Sequence, residues 1–188
     1  LAGFATIGEV ITSSRITSSA DIADKIAQRI FGLPSIPLSG DSGAIIIDTN
    51  QLDISDGALL AVKNDGSGNA GRLQVKADSI NINNQGTISA TTASGKGGGI
   101  DLQAQNLILR RNGNISATAG SGDGGNININ VQILAAFENS DITANYQGSF
   151  GGKVTINAKG VLGTQFREFL TPESDITATS GEGAEFNG

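Results

Sequence analysis

Aliphatic residues recur along this chain at an almost constant interval of 27 or 28 residues, starting at Ile45. One column of these positions holds Ile45, Leu73, Ile100, Ile127 and Val154, and a second column holds Leu52, Ile80, Leu107, Leu134 and Val161. A third column holds Leu60, Ile88, Ile115, Ile142 and Ile176. Around each position apolar and polar residues alternate, as in a strand with one buried face. The pattern predicts three short strands in each unit.

The last interval of the third column departs from the repeat. Ile142 and Ile176 are 34 residues apart, which indicates an insertion of seven residues in the final unit. Turn-forming pairs precede the third strand of each unit: Asp56-Gly57, Gln85-Gly86, Asn112-Gly113, Asn139-Ser140 and Glu173-Ser174. Such residues tolerate positive φ, so we expect a tight turn there. Connectors rich in Gly and Ser close the units and predict surface loops.

Three strands per unit, repeated in register, predict an all-β fold: a right-handed parallel β-helix with coils of about 27 residues. Each strand pairs with its counterpart one coil away, at about 4.8 Å, and the right hand follows the general preference of parallel crossovers. An antiparallel sandwich is the alternative, because Asp-Gly and Asn-Gly turns also connect hairpins. We expect residues 41–188 to form about five coils that continue beyond this fragment, because no polar cap is evident.

Residues 1–40 do not follow the repeat and are expected to form an irregular segment with one short α-helix at about residues 20–31. Ser19 can cap this helix, and Gly32 and Pro34 can end it. Its apolar stripe would consist of Ile22, Ile26 and Ile30. We expect the stripe to pack on the solenoid, as a lid over one end or an excursion on the flank. A helix that binds a partner is the alternative.

Composition narrows the classes of function. The chain has 188 residues, of which 38% are hydrophobic, and contains no His, Cys, Met or Trp, so its core must be built from Ile, Leu, Val and Ala. The net charge is −6, and the basic residues are scattered apart from Arg110-Arg111, which argues against nucleic acid as a partner. No apolar run is long enough to span a membrane. We expect no cofactor.

Residues 161–180, with the sequence VLGTQFREFLTPESDITATS, resemble the large cyanobacterial haemagglutinin-like exoproteins of the two-partner secretion class. The Gly-rich beginnings of the units and their Ile-Ser-Ala endings, as at residues 115–117, are similar to the same family. The resemblance implies a β-helical passenger that is extracellular or on the cell surface and acts in adhesion, aggregation or the extracellular matrix. The family's secretion motifs are not found in these residues, so export is implied by the resemblance alone.

The third column places Asn114, Asp141 and Asp175 on adjacent coils, and two carboxylates would then lie about 4.8 Å apart. Such a pair repels unless a proton or cation bridges it, which makes Asp141 and Asp175, with Glu173 nearby, a weak calcium candidate. The alternative is a solvated outward pair. Parallel β-helices also include polysaccharide-cleaving enzymes, but this chain has no imidazole base and no thiol nucleophile. We therefore expect no enzyme activity.

Three aromatic residues, Tyr146, Phe166 and Phe169, could form a patch that binds a glycan or a cell-surface protein. Phe166 and Phe169 are more readily interpreted as anchors that hold the insertion on the solenoid. The leading hypothesis is a structural or adhesive stalk. The second hypothesis is a binding module that uses the connector loops and the insertion at residues 161–175. Uncapped coil ends also predict self-association, either end to end or laterally.

Overall fold

A computed structural model describes residues 14–21, 25–32, 39–96, 98–120, 125–145 and 152–180. Within these ranges the chain forms fourteen strands and one helix. They are β1 Arg15–Ala20, α1 Lys25–Phe31, β2 Ile45–Asp48, β3 Gln51–Ile54, β4 Leu59–Asn64, β5 Leu73–Lys76, β6 Ser79–Asn83, β7 Thr87–Thr92, β8 Ile100–Arg110, β9 Asn114–Ala119, β10 Ile127–Ala136, β11 Asp141–Thr143, β12 Val154–Leu162, β13 Gln165–Phe166 and β14 Asp175–Thr177.

The strands form two parallel sheets, which we call sheet A and sheet B. Sheet A has the order β1-β4-β7-β9-β11-β14-β13, and sheet B has the order β12-β10-β8-β5-β2, in which β6 also pairs with β8 and β3 pairs with β6. Every strand pairing in the described part of the chain is parallel. The sandwich alternative is therefore wrong. The fold is a parallel β-solenoid of about four turns, with about 27 residues per turn.

The three predicted columns are confirmed by the pairing register. Ile100 pairs with Leu73 on one side and with Ile127 on the other, and Ile115 pairs with Ile88 and Ile142. Their side chains point inward and form the core, in which Leu73, Ile88, Ile100, Ile115 and Ile127 have no exposed surface. In sheet B the first two strands of a turn are separate as β2 and β3 and as β5 and β6. They merge into one strand in β8, β10 and β12.

The expectation for residues 1–40 needs correction. Residues 15–20 belong to the repeat, because β1 pairs in parallel with β4 and places Ile16 opposite Leu60. Ser19 lies in this strand and is not a helix cap; its hydroxyl donates to a carboxylate oxygen of Asp21 at 2.7 Å. The alternation in β1 contains a single large aliphatic residue, and 44 residues separate Ile16 from Leu60. The interval therefore concealed the match.

The helix is also shorter than predicted, since Ala20 belongs to β1; its described residues are Lys25–Phe31. None of them is buried, and Ile26 and Ile30 are 72% and 68% exposed. The predicted packing of the stripe on the solenoid is therefore wrong for these two residues, while Ile22 lies outside the described residues. The isoleucine spacing identified an amphipathic helix but could not show what covers its apolar side.

The turns before β4, β7, β9 and β11 each have two successive residues with positive φ, whereas the predicted pair Glu173-Ser174 before β14 has none. These pairs are Asp56-Gly57, Asn84-Gln85, Arg111-Asn112 and Glu138-Asn139, with φ between 45° and 73°. In three turns the pair lies one residue earlier than the sequence predicts. Gly86 and Gly113, which follow the pair, are needed for close approach: a β-carbon on Gly113 would lie 2.6 Å from the carbonyl oxygen of Ile82 in the preceding turn.

A column of glycines has the same role in the connectors. It contains Gly43, Gly71, Gly98, Gly125 and Gly152. A β-carbon on Gly98 would lie 2.5 Å from the carbonyl oxygen of Gly71, and one on Gly125 would lie 2.6 Å from that of Gly98. Real β-carbons do not approach carbonyl oxygens so closely. The connectors can therefore stack one above another only where this column lacks side chains.

Replacing Gly98 with Ala should destabilise the solenoid, because the new methyl group would clash with the carbonyl oxygen of Gly71. Both residues belong to stacked backbone that cannot easily move. We expect a loss of about 1–3 kcal/mol in the free energy of unfolding, measured by urea titration. The neighbouring Gly99 is the matched control, because its β-carbon would find its nearest atom at 3.9 Å. Gly99→Ala should change the free energy by no more than about 0.5 kcal/mol. Equal losses in the two variants would contradict the stacking argument.

Replacing Ile115 with Ala should cost about 2–5 kcal/mol of unfolding free energy, because it leaves a cavity in the middle of the core column. Ile16 lies at the end of the same column and is 57% exposed. Ile16→Ala should therefore cost less than about 1 kcal/mol. Thermal and urea unfolding of both variants measure the difference. Similar losses would show that the column does not have a buried middle and an open end.

Candidate functional site

The seven-residue insertion forms an organised segment, which we call the strap and define as residues 163–174. Hydrogen bonds from one turn to the next normally span about 27 residues, as from Gly113 to Ser140, but the corresponding bond from Ser140 to Ser174 spans 34. The strap begins at Gly163, whose φ is 75°. The ring of Phe137 occupies the space that a β-carbon on Gly163 would need. A glycine is therefore required where the chain leaves the repeat.

The strap adds one more rung to sheet A. Its strand β13 pairs in parallel with β14, so that Phe166 lies opposite Ile176, and the amide of Arg167 donates to the carbonyl oxygen of Ile176 at 3.0 Å. Residues paired in register point to the same face of a sheet, so Phe166 extends the core column that contains Ile142 and Ile176. Strand β13 thus occupies the position that the sheet A strand of a further turn would take.

Arg167 fastens the strap to the solenoid. One terminal nitrogen of its guanidinium donates to the Asp175 carboxylate and, at 3.1 Å, to the hydroxyl of Thr171, and the other forms an ion pair with Glu173. The side-chain oxygen of Gln165, in the orientation that its neighbours favour, accepts from the same guanidinium at 2.8 and 3.1 Å. The Asp175 side chain is completely buried, whereas that of Arg167 is 20% exposed. We call this group the clamp.

A second set of bonds connects the strap to the preceding turn. The side-chain amide of Asn139, oriented by its surroundings, donates to the carbonyl oxygens of Thr171 and Glu173 at 3.1 Å each. The backbone amide of Thr171 donates to the Asp175 carboxylate, and the Ser174 hydroxyl accepts from the amide of Ser140 at 3.0 Å. The strap is thus bonded both to the preceding turn and to β14.

The two aspartates of the predicted column titrate in opposite directions. Burial by itself would raise the pKa of Asp175, but the amide of Thr171 and the Arg167 guanidinium outweigh it, and the pKa lies below its ordinary value of 3.8. Burial raises the pKa of Asp141 above 3.8, and the Asp175 carboxylate raises it further, against the effect of a hydrogen bond from the Asp175 amide. Asp175 is therefore held as a carboxylate at neutral pH.

The calcium candidate can now be placed. Asp141 and Asp175 do lie on adjacent turns, and an oxygen of Asp141 accepts from the backbone amide of Asp175 at 2.9 Å. The Asp175 carboxylate, however, is bonded by a guanidinium, an amide and a hydroxyl. A cation at Asp175 would have to replace Arg167. In the described ranges no three acidic, His or Cys side chains are grouped closely enough to hold a metal ion.

The aromatic patch has a mixed outcome. Phe166 and Phe169 are 59% and 70% exposed, and the neighbouring Leu170 is 51% exposed. The interpretation of Phe169 as an anchor is therefore wrong, whereas Phe166 lies opposite Ile176 at the end of the core column. Polar contacts of Arg167, Asn139 and Asp175 also hold the strap. Tyr146 lies outside the described residues. The use of Phe166 and Phe169 in binding stays a prediction. Sequence reasoning missed the clamp, since nothing in the spacing of Arg167 and Asp175 shows that their side chains meet.

Arg110 and Arg111 have different surroundings. Arg110 donates to Glu138 of the next turn at 2.8 Å, and Arg111 is one of the positive-φ residues of its corner. Similar bonds connect other turns on the outside, as from Asn128 to Asp101 at 3.0 Å. These exposed contacts contribute little individually. They leave the outer face polar and its charges mixed in sign.

The clamp predicts how stability depends on pH. Because the pKa of Asp175 is lower in the folded than in the unfolded chain, its contribution is complete above the ordinary value of 3.8 and is lost as the pH falls through the lowered value. Asp175→Asn should therefore lower the free energy of unfolding at neutral pH and reduce its loss on acidification. Urea titrations between about pH 2 and pH 7 measure both effects.

Asp141→Asn is the matched control, and its effect has the opposite sign. A raised folded pKa means that the charged form of Asp141 opposes folding above that pKa, and that this effect disappears as the pH falls to 3.8 and below. The variant should be at least as stable as the wild-type chain at neutral pH. Identical pH profiles for Asp141→Asn and Asp175→Asn would contradict the assigned roles.

No family model, no curated protein and no solved structure matches this chain. In the part of the chain that the structure describes, no helix is both long and apolar enough to cross a bilayer. The functional assignment therefore depends on the geometry of the columns and the strap, together with the sequence resemblance of residues 161–180.

Proposed function

We propose that this chain is a structural and adhesive stalk segment of a secreted bacterial exoprotein, used in cell adhesion, aggregation or the extracellular matrix. The observation that carries the proposal is the unbroken register of the core columns. Ile45, Leu73, Ile100, Ile127 and Val154 pair successively through the whole of sheet B. Such continuity is what a spacer needs, since the hydrogen bonds between turns run along the axis of the solenoid.

Stacked turns also suit a stalk because each turn contacts only its neighbours. Length can then change by whole turns without altering the contacts of those that remain. The glycine column recurs at each turn and the paired positive-φ corner at four successive turns, so the connectors and corners repeat together with the strands. A spacer requires this uniformity, whereas a catalytic centre requires a local departure from it.

Export and kinship with the haemagglutinin-like exoproteins are part of the same proposal. Their support is the resemblance of residues 161–180, which contain the whole strap, β14 and the residues next to them. We also propose that the chain is not an enzyme. Of the two carboxylates in the candidate column, Asp175 is held by Arg167 and Thr171, which leaves it poorly suited to act as an acid or base.

A deletion of one whole turn tests the stalk proposal. Removal of residues 100–126 joins Gly99 to Ile127, which occupies the same column as Ile100, so the remaining strands stay in register. We expect a folded chain about 4.8 Å shorter, measured by small-angle scattering and circular dichroism. Removal of residues 103–128 is the control, because it places Leu134 eight residues after Ile100 instead of the seven found in every unit, and a shift by one residue turns the following side chains to the opposite face. This variant should fail to fold.

Cellular location tests the remainder of the proposal. Antibodies against the chain should detect it in the medium or on the surface of intact producing cells, where added protease removes it. A chain confined to the cytosol would overturn the assignment as an exported stalk. A panel of polysaccharides should show no release of reducing ends, and release that disappears in Asp141→Asn would revive the enzyme hypothesis.

A glycan- or partner-binding role of the strap is a second candidate, and the exposure of Phe166 and Phe169 favours it. A glycan array tests this role. Saturable binding that is lost in Phe169→Ser but retained in Phe31→Ser would support it, since Phe31 is an aromatic residue of α1, outside the strap, and is 72% exposed. No saturable binding, or equal loss in both variants, would contradict it.

A further inference from the structure

The strap determines which backbone groups are available at one edge of sheet A. In a strand, the N–H and C=O groups of one residue point to the same side, and those of the next residue point to the opposite side. Thr177 bonds towards β11, since its carbonyl oxygen accepts from the amide of Ala144 at 2.9 Å. Ile176 bonds in the other direction, towards β13, through the amide of Arg167. Without the strap, the edge of β14 would present unpaired groups to any strand that reached it.

The opposite edge of the same sheet is β1, whose described pairing is with β4. The carbonyl oxygens of Ser14 and Ala20 accept from the amides of Leu59 and Asp65 at 2.9 Å each. By alternation, the backbone groups of Arg15, Thr17 and Ser19 point away from β4. Among the described residues, the outer side of β1 therefore carries a pairing edge of the opposite sense to that of β14, in a sheet whose strands all run in one direction.

The core column matches at these two edges. Its buried members, from Leu60 to Ile176, are at most 9% exposed, whereas Ile16 at one end and Phe166 at the other are 57% and 59% exposed. If β1 of a second copy paired with β14, Ile16 of that copy would lie over Ile176 and continue the column. The same residue type and the same strand direction would then be repeated across the junction.

We propose that the strap is an edge guard, in which β13 occupies the pairing edge of β14 and prevents β1 of a second copy of this chain from docking there head to tail. The inference is independent of the stalk proposal, because it concerns association and not export. Exposed strand edges are sites of association, and proteins protect them with short strands, charged residues and proline. Strand β13 has two residues, and Arg167, Glu168 and Pro172 lie in the strap after it.

The clamp explains why the guard stays closed. A two-residue strand forms few backbone bonds, so pairing alone would hold it weakly. Arg167 links it to the buried Asp175 carboxylate of β14, the strand that it covers. Asn139 bonds the far end of the strap at Thr171 and Glu173. The guard is therefore attached at both ends, independently of the pairing of β13.

Removal of the guard tests the proposal. Residues 164–174 are replaced by the Arg-Arg-Asn-Gly turn of residues 110–113, which restores the spacing of the other turns. We expect the wild-type chain to keep one mass in sedimentation equilibrium as concentration rises, and the strapless chain to increase in mass at least twofold. A strapless chain that folds, as judged by circular dichroism, and keeps the wild-type mass would overturn the proposal.

The docking edge is tested by a second substitution in the strapless chain. Thr17→Pro removes an N–H that points away from β4 and spares the bonds to β4, so it should restore the wild-type mass. Thr17→Val is the matched control and should still associate, because it keeps that N–H. Association that persists with proline at position 17 would mean that another surface joins the copies and would overturn the proposal.

A variant of the full chain covers the case in which the strapless chain does not fold. Arg167→Gln removes the charge of the clamp and keeps the length of the strap. It should increase association with concentration, and Thr17→Pro should reverse the increase. Arg110→Gln, which breaks an exposed ion pair with Glu138 outside the strap, is the control and should leave the mass unchanged. Equal masses for Arg167→Gln and the wild-type chain would contradict the guard.

Discussion

The constraint on which the structure depends is the direct stacking of one turn on the next at the spacing of paired strands. At about 4.8 Å a residue has its counterparts in the adjacent turns as its nearest neighbours. An aliphatic side chain at Ile100 then packs best if Leu73 and Ile127 are also aliphatic. A backbone as close as that of Gly98 requires glycine where the connectors touch. The core columns, the glycine column and the repeated corners are three consequences of this one constraint.

Much of the fold could be predicted because stacked turns of nearly constant length make aliphatic residues recur at a fixed interval in the sequence. The sequence alone predicts that Ile88, Ile115 and Ile142 form a column, and the structure pairs them as expected. The interval is uninformative where the chain departs from it. Ile16 was not recognised as part of the column because a long segment separates it from Leu60. The positive-φ pairs were predicted one residue too late in three turns, because Gly86 is required for the close approach of two backbones and not for a positive φ.

The strap shows the other limit of sequence reasoning. The insertion was predicted from an interval of 34 residues, but its contacts were not. Arg167 meets Asp175 because β13 returns alongside β14, and this return depends on tertiary pairing. The phenylalanines were expected to hold the segment because aromatic residues usually do so, yet Phe169 is exposed, and a guanidinium and a side-chain amide also provide attachment. A short sequence does not show whether a segment is attached by apolar or by polar side chains. The burial of those side chains in the structure distinguishes the two.

The lengths of the segments between the core columns show where the chain has room to change. Seven residues separate the first two columns in each of the five units, whereas additional residues appear in the connector after Leu60 and before Ile176. The corner between the first two columns is therefore rigid in length, and the other two tolerate insertions. Foreign peptides grafted at these two corners would be displayed at intervals of one turn along the axis. The solenoid thus provides positions for loops at fixed separations along its axis.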